Sequence, residues 1–382
     1  VKTRLLVALV CSLPLAAGAS DAFFASEVLD AAALKQAPRD AADAAWQGAP
    51  AKSFLVVPQR TVRLHDRRAN EVAEAPGGKA DVSVRAALVG GELVLRLEWR
   101  DAAREVVRDD EVNVFADSAA VQVPQRFGPG VRLPAISMGD GDAPVRLWLL
   151  RAVQSGAVQS ELVAAGFGSS TRGAAPQPAP RAMSYDEAAK AWRAMFRVPV
   201  AANAAGLVPV AFALWDGARH ERSGNKRLSA WKFVRLPGRP LDAAYVKELA
   251  WGYAPGDLGD AARGKQLAET MCIACHRLPG KAFAPVGLAP MLEDIGAIAT
   301  PGYLRDSIVK PSEVVLHAPN PNQHYDKNAA RDPNGAYPNQ EAFKWGTQGP
   351  DGKWVSKMPP YAAFTPEQVG DLVAFLRTLQ GD

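Results

Sequence analysis

Short apolar runs separated by turn signals fill the first 250 residues. DVSVRAAL (81–88), ELVLRLEW (92–99), VNVFA (112–116), AAVQVP (119–124), VRLWLLRA (145–152), AWRAMFRVPV (191–200), LVPVAFALW (207–215) and AWKFVRL (230–236) read as strands, and long amphipathic helices are few. The pattern predicts a mainly β domain over 38–250, an antiparallel β-sandwich or barrel-like sheet. A Gly, Pro and Asp cluster, WGYAPGDLGD (251–260), reads as a linker. Beyond it the period changes. GDAARGKQLAETM reads as a helix, and a second is announced by Thr365 as cap, Pro366 in the first turn and Gln368 completing a capping box. Val369, Leu372, Val373, Leu376 and Leu379 then form one stripe, so 261–382 is predicted to be an all-α domain.

The N-terminus has another layout. Lys2 and Arg4 precede an apolar stretch from Leu5 to Ala17, and Ala17-Gly18-Ala19 offers small residues for cleavage. This predicts a signal peptide over 1–19, cut after about Ala19, and a periplasmic protein with an N-terminal extension over 20–37. The apolar stretch is shorter than the roughly 20 residues of a membrane span. The best later segment, GLVPVAFALW, reads as a buried strand, so no membrane span is expected. Losing Lys2 and Arg4 takes the net charge from +4 to +2, which gives no case for a nucleic-acid partner.

Of the three cysteines, Cys11 lies in the expected signal, leaving Cys272 and Cys275 in CIACH (272–276). In C-x-x-C-H the two thiols can add to the vinyl groups of a haem, and the His that follows reaches the iron. A zinc site would want two more regularly spaced Cys or His, and none follows closely. A thioredoxin-type redox pair would open a helix, whereas here a helix leads into the motif. Covalent haem c at Cys272 and Cys275, with His276 as proximal ligand, is therefore expected. For the sixth position the downstream donors are Met291, His317, His324 and Met358. Met291 reads as core, and the two histidines read as surface residues of a long polar loop. Met358, 82 residues after His276 and followed by Pro359 and the final helix, has a setting that resembles class I cytochromes c.

The β region has its own resemblance. DAADAAW, LRLEWRDAA, AVQVP, SMGDGDAPVRLWLLRA and PVAFALWDGARHERSGNKRLSAW occur in that order between about residues 38 and 250. They resemble the haem-b-binding γ subunits of periplasmic molybdenum oxidoreductases, of the ethylbenzene dehydrogenase, dimethylsulfide dehydrogenase, and selenate and chlorate reductase type. The resemblance implies a non-covalent haem b held between a Met and a Lys, which match Met138 and Lys226. A lysine binds iron only as the neutral amine, so its pKa must fall. Taken singly, Lys226 reads as a solvated loop residue and Met138 as core. Met183 and Met195 compete for the thioether role, with Met195 read as facing the interior. His65 and His220 are alternative ligands, and His220 is the stronger rival because it lies six residues from Lys226. Trp99, Trp148, Trp215 and Trp231 read as core aromatics.

Together these readings predict a dihaem (b and c) cytochrome. It would serve as the electron-transfer subunit of a molybdopterin oxidoreductase, passing electrons between that enzyme's iron–sulfur subunit and a soluble redox carrier. With both axial positions filled, the chain itself would not be the catalytic subunit. Two rivals are a haem c enzyme (a peroxidase or sulfur-compound dehydrogenase) and a haem-free β binding module with a cytochrome c tail.

Overall fold

The computed structural model describes residues 18–61, 67–75, 78–108, 115–166, 169–201, 205–254, 256–281, 289–316 and 345–381. Its first part is an antiparallel β-sandwich. The principal strands are β1 (Ala51–Pro58), β2 (Ala80–Val89), β3 (Glu92–Arg100), β4 (Ser118–Pro124), β5 (Val145–Val153), β6 (Gly156–Ala164), β7 (Ala191–Pro199), β8 (Leu207–Trp215) and β9 (Arg227–Leu228). They pair in the order β6-β5-β4-β8-β9-β1-β2-β3-β7, every neighbouring pair antiparallel. The two halves of this path turn their inner faces toward one core. Val121 of β4, Leu150 of β5 and Phe212 of β8 meet Phe54 of β1, Leu95 of β3 and Phe196 of β7. Phe54 and Phe212 stack across it with centroids 5.9 Å apart. Strand periodicity explains this packing, because alternate residues of each strand point to the same face.

Two of the longer strands escaped the sequence reading. Ala51–Pro58 opens with polar residues and buries only its second half, and Gly156–Ala164 carries Gln159, Ser160 and Glu161 on partly exposed positions. Neither has the apolar density on which the reading relied. The stretch expected as an extension, 20–37, is instead part of the β region. Helix α1 (Ala19–Glu27) buries Phe23, and Val28–Asp30 pairs in parallel with Phe233–Arg235. Residues 1–17, which hold most of the expected signal peptide, lie outside the described residues.

The remaining helices are α2 (Arg67–Glu74), α3 (Ala243–Ala250), α4 (Ala261–Met271), α5 (Ile295–Ile298), α6 (Pro301–Val309) and α7 (Pro366–Thr378). Asp260 caps α4 by accepting from the amides of Ala262 (2.7 Å) and Arg263 (2.9 Å). Thr365 and Gln368 form the capping box that opens α7, and the expected α7 stripe is buried. Where α4 crosses α7, a Cβ on Gly264 would collide with the Asp371 carbonyl, so only glycine lets the helices approach this closely. Asp371 locks the crossing by accepting from Arg263 Nε (2.7 Å) and Nη2 (2.8 Å).

The helical part sits on the outer face of the sandwich. Val57 of β1 and Leu228 of β9 join Leu292, Ile295, Leu304 and Leu372 in one apolar cluster, with Leu55 and Ile136 packed against it. Ion pairs border this contact: Arg277–Glu293 (2.7 Å), Arg277–Glu74 (3.6 Å) and Arg60–Glu293 (3.8 Å). Among the described residues, no helix is long and apolar enough to cross a membrane.

Candidate haem centres

Helix α4 delivers the C-x-x-C-H residues. Its last turn passes into the motif through Cys272 N–H to Ala268 (2.9 Å), and a tight turn follows in which His276 N–H donates to the Cys272 carbonyl (2.8 Å). Cys272 is half-buried, Cys275 is exposed, and neither is in a disulfide. Burial, and then the neighbouring Cys275, pushes the Cys272 thiol up to about 11, so that sulfur starts from the protonated form. His276 Nδ1 lies 2.8 Å from the Pro290 carbonyl. A carbonyl only accepts, so that nitrogen carries the proton and Nε2 keeps its lone pair for a metal. Burial lowers the imidazole's pKa, which favours the neutral ligand form. Two thiols and a tautomer-fixed imidazole on one turn fit a covalently attached haem.

Met358 lies on the loop after a small hairpin, Gly346–Gln348 with Trp354–Ser356. Its amide donates to Ser356 Oγ (3.0 Å), and the Tyr361 amide ties the loop to the Ile308 carbonyl of α6 (3.1 Å). The Tyr361 hydroxyl donates to the Met271 carbonyl (3.3 Å), closing the methionine loop onto the end of α4. Burial raises the pKa of this phenol, and so do the Cys272 and Cys275 thiols beside it. Met291 is buried, with its sulfur 3.7 Å from Arg277 Nη1. His317 and His324 lie outside the described residues.

The second candidate pair is assembled from distant segments. Met138 adopts φ 72°, a left-handed conformation that costs a non-glycine residue about 1 kcal/mol. The surrounding loop enforces it: Met138 N–H donates to Ile136 (2.9 Å), Gly139 N–H to Ala135 (2.9 Å), and Gly166 N–H to the Met138 carbonyl (2.9 Å). Gly139 (φ 76°) cannot carry a Cβ, which would lie 2.8 Å from the Ala143 carbonyl. Asp140, buried, accepts from Arg132 at 3.0 and 2.7 Å and from the Ala135 amide at 3.0 Å, bracing the loop. Met138 itself packs, half-buried, against the cluster that contains Leu147, Ala211 and Trp231.

Lys226 is buried rather than solvated, with 6 % of its surface exposed. Its ammonium lies 5.6 Å from the centre of the Trp215 ring, and burial brings its pKa down to about 8. A neutral amine is thus accessible near physiological pH. His220, the rival, is exposed at φ 58° and stacks on Phe115 with centroids 4.9 Å apart. Met183 and Met195 are in apolar clusters, and His65 lies outside the described residues. The residues Ala211, Ala213 and Trp215 alternate with the core-facing Val210, Phe212 and Leu214, so they share the outer face of β8. Opposite them in register stand Gln122, Ala120 and Ser118 of β4. Both members of the Met–Lys pair therefore lie over one outer face whose centre is made of small side chains. The donor set, a thioether and an amine that can be neutral, suits haem iron. A cavity of ≈ 320 Å³ between sandwich and helices is lined by Leu133, Pro134, Ile136, Trp231 and Tyr303, and neither Met138 nor Lys226 is in its lining.

Pro290, Tyr361 and the Arg132–Asp140 brace were not found from the sequence. Their roles come from backbone carbonyls, or from residues that meet only in the fold. The one local signal was the dense Gly/Asp run after Met138, which marks a tight turn.

Residues 261–380 match the cytochrome c family. Over 203 residues the chain is 32% identical to a protein of Haloferax mediterranei that bears the name of a respiratory nitrate reductase haem subunit, covering 48% of this chain and 68% of that one. It is also 32% identical over 157 residues to the chlorate reductase subunit gamma of Ideonella dechloratans, covering 39% of this chain and 61% of that subunit. A carbohydrate binding module of family 9 from Caldicellulosiruptor kristjanssonii aligns with 56% of this chain at 9% identity and a TM-score of 0.28. The chain belongs to the family of haem-carrying gamma subunits of the nitrate and chlorate reductase type, and it carries a cytochrome c domain at its C-terminal end.

Proposed function

We propose that the chain is a two-haem electron relay, an extracytoplasmic subunit that carries electrons between an iron–sulfur subunit of a molybdopterin oxidoreductase and a soluble acceptor or donor. The observation that carries this reading is a single apolar cluster. It runs from Leu228, two residues beyond Lys226, and Ile136, two residues before Met138, to Cys272 of the haem c motif. The segments that carry the two candidate centres thus border the same seam between the sandwich and the helices. Arg277, next to His276, also reaches across that seam to Glu74.

A bound haem supplies a one-electron centre that cycles between ferrous and ferric iron. Around the c site Cys272 and Cys275 would hold the ring, Pro290 holds the His276 tautomer, and the Tyr361-tethered loop would offer Met358. Around the b site the braced loop would present Met138 from a strained φ, while burial keeps Lys226 from carrying a strongly favoured charge. With His276 and Met358 committed to one iron and Met138 and Lys226 to the other, the chain would offer substrate no open position, so this subunit would move electrons while a partner subunit makes or breaks bonds.

The test is haem typing of the purified full chain. Acid-acetone extraction followed by pyridine haemochrome spectra should yield equal amounts of extractable haem b and protein-bound haem c. Lys226→Ala and Met138→Ala should each remove the low-spin b spectrum and leave c unchanged. Haem c alone, from cells supplied with ample haem, would overturn the relay.

A further inference from the structure

A group of carboxylates at one end of the sandwich has no part in the relay as described. Oxygens of Asp101, Glu105 and Asp216 all lie within 4.8 Å of one another. They come from two segments: Asp101 and Glu105 from the chain leaving β3, and Asp216 from the residue after β8. Asp117 stands beside them, fully engaged, accepting from the amides of Gly217 and Glu105 and from Trp192 Nε1, each at 2.8 Å.

A crowd of acids is not itself a site, but here a second observation points to a ligand. Asp101 has 8 % of its surface exposed. Its Oδ1 takes the Ala103 amide at 3.3 Å, while Oδ2 is buried with no hydrogen-bond donor among the described residues. Glu105 Oε2 is likewise buried without a donor. A buried carboxylate oxygen left without a partner carries its full desolvation penalty, which a bound cation would offset. Among the described residues Arg227 touches the three acids only at Asp216 (3.3 Å), and it divides its charge with Glu221 (3.4 Å). Burial first, and then repulsion from Asp117 and Asp216, pushes Asp101 and Glu105 both up to about 7.

We propose that Asp101, Glu105 and Asp216 form a binding site for a calcium-type divalent cation that clamps the chain leaving β3 to the chain leaving β8. Calcium takes oxygen ligands at about 2.3–2.6 Å, so ligand oxygens around one ion lie up to about 5 Å apart, as these do. The all-oxygen donor set and its origin in irregular segments fit this large, geometrically tolerant ion better than magnesium, which requires a near-ideal octahedron. The clamp has a consequence for the relay. Asp216 begins the loop that ends at Lys226, and the Glu221 carboxylate within it accepts from the Asp216 amide (3.0 Å). An ion at Asp216 fixes one end of the segment carrying Lys226. This coupling rests on the haem b reading of Lys226; the cation site does not.

The experiment uses the full chain with its haems, treated with EDTA, desalted and titrated with calcium chloride in a calorimeter. One saturable site is expected, with a rise in Tm of about 5 °C at a hundredfold excess over Kd. Asp101→Asn and Asp216→Asn should each weaken binding at least tenfold. Without calcium Asp101→Asn should not melt below wild type, because it relieves repulsion; Asp216→Asn also loses its ion pair with Arg227 and is read by binding alone. Stripped protein should also release haem b several-fold faster. No calcium-dependent heat or Tm change in wild type would overturn the site, as would unchanged binding in both variants. Equal haem b release with and without calcium would overturn the coupling alone. Calcium binding that persists in Lys226→Ala would support a site independent of the haem b assignment.

Discussion

The two candidate haem centres are built in opposite ways. The c centre is mostly linear: Cys272, Cys275 and His276 sit on one turn at the end of α4, and hydrogen bonds within that turn already set their order. The b centre depends on the fold. Its proposed ligands, Met138 and Lys226, are 88 residues apart in the chain, and only the pairing of β4, β8 and β9 in one sheet sets their segments over the same face. The first kind of site tolerates changes elsewhere in the fold. The second fails when its supports do. Damage to the linear site should therefore be all-or-none and local, and damage to the assembled site graded and dependent on packing.

The largest expected effect breaks the linear site outright. Cys272→Ser together with Cys275→Ser should abolish covalent haem, read as loss of haem staining after denaturing electrophoresis. Extractable haem b should stay near the wild-type amount. If both haems vanish, the two centres do not assemble independently and the contrast fails.

The next effect concerns stability and pH in the protein after haem b has been extracted. Burial holds Lys226 near 8 in the folded state, against about 10.4 when unfolded. The unfolded chain therefore binds more protons between those values, and stability rises as pH climbs from about 8 to about 10.5. Below pH 8 the full penalty applies. Lys226→Met should stabilise this haem-b-free form by about 3 kcal/mol at pH 7, an advantage that fades toward pH 10.5. Denaturant melts at pH 7 and pH 10 would measure it. A variant less stable than wild type at pH 7 would show that Lys226 is there for packing rather than for a ligand role.

A smaller effect tests the brace behind Met138. Asp140→Asn removes the charge that holds Arg132 in two hydrogen bonds, at a cost of about 2 kcal/mol. With the loop loosened, the strained Met138 φ should relax, and haem b should be lost more readily while haem c is retained. Extraction rates of haem b from the variant and wild type would read this directly.

What could be read from the sequence follows the same division. The sandwich strands with dense apolar alternation, such as β3 and β8, were visible because burying both faces leaves little freedom in residue choice. Strand β6, with its partly exposed polar positions, was not. CIACH was legible because its chemistry needs five consecutive positions. Lys226 in SGNKR looked like a surface lysine, and only its order within a family pattern suggested otherwise. Its burial against Trp215 is a tertiary fact that no local window contains. Pro290 and Tyr361 were missed for a related reason: one acts through a carbonyl that every residue possesses, and the other through a contact with a residue 90 positions away.

Tyr361 gives the smallest effect and the sharpest contrast with Asp140. Its hydroxyl makes one partly exposed hydrogen bond to Met271 (3.3 Å), worth about 0.5–1 kcal/mol. The Met358 loop has further anchors, at Ser356 Oγ (3.0 Å) and at the Ile308 carbonyl (3.1 Å). Tyr361→Phe keeps the ring beside the cysteines and deletes only the hydroxyl. The variant should retain covalent haem in full and lose no more than a few degrees in Tm. In a spectroscopic acid titration, the methionine-ligated haem c should survive nearly to the wild-type pH. Loss of the methionine-ligated spectrum at neutral pH would show that the Met358 loop is held by one contact, as delicately as the Met138 loop is held by Asp140. The linear centre would then owe its sixth ligand, though not its attachment, to the tertiary fold.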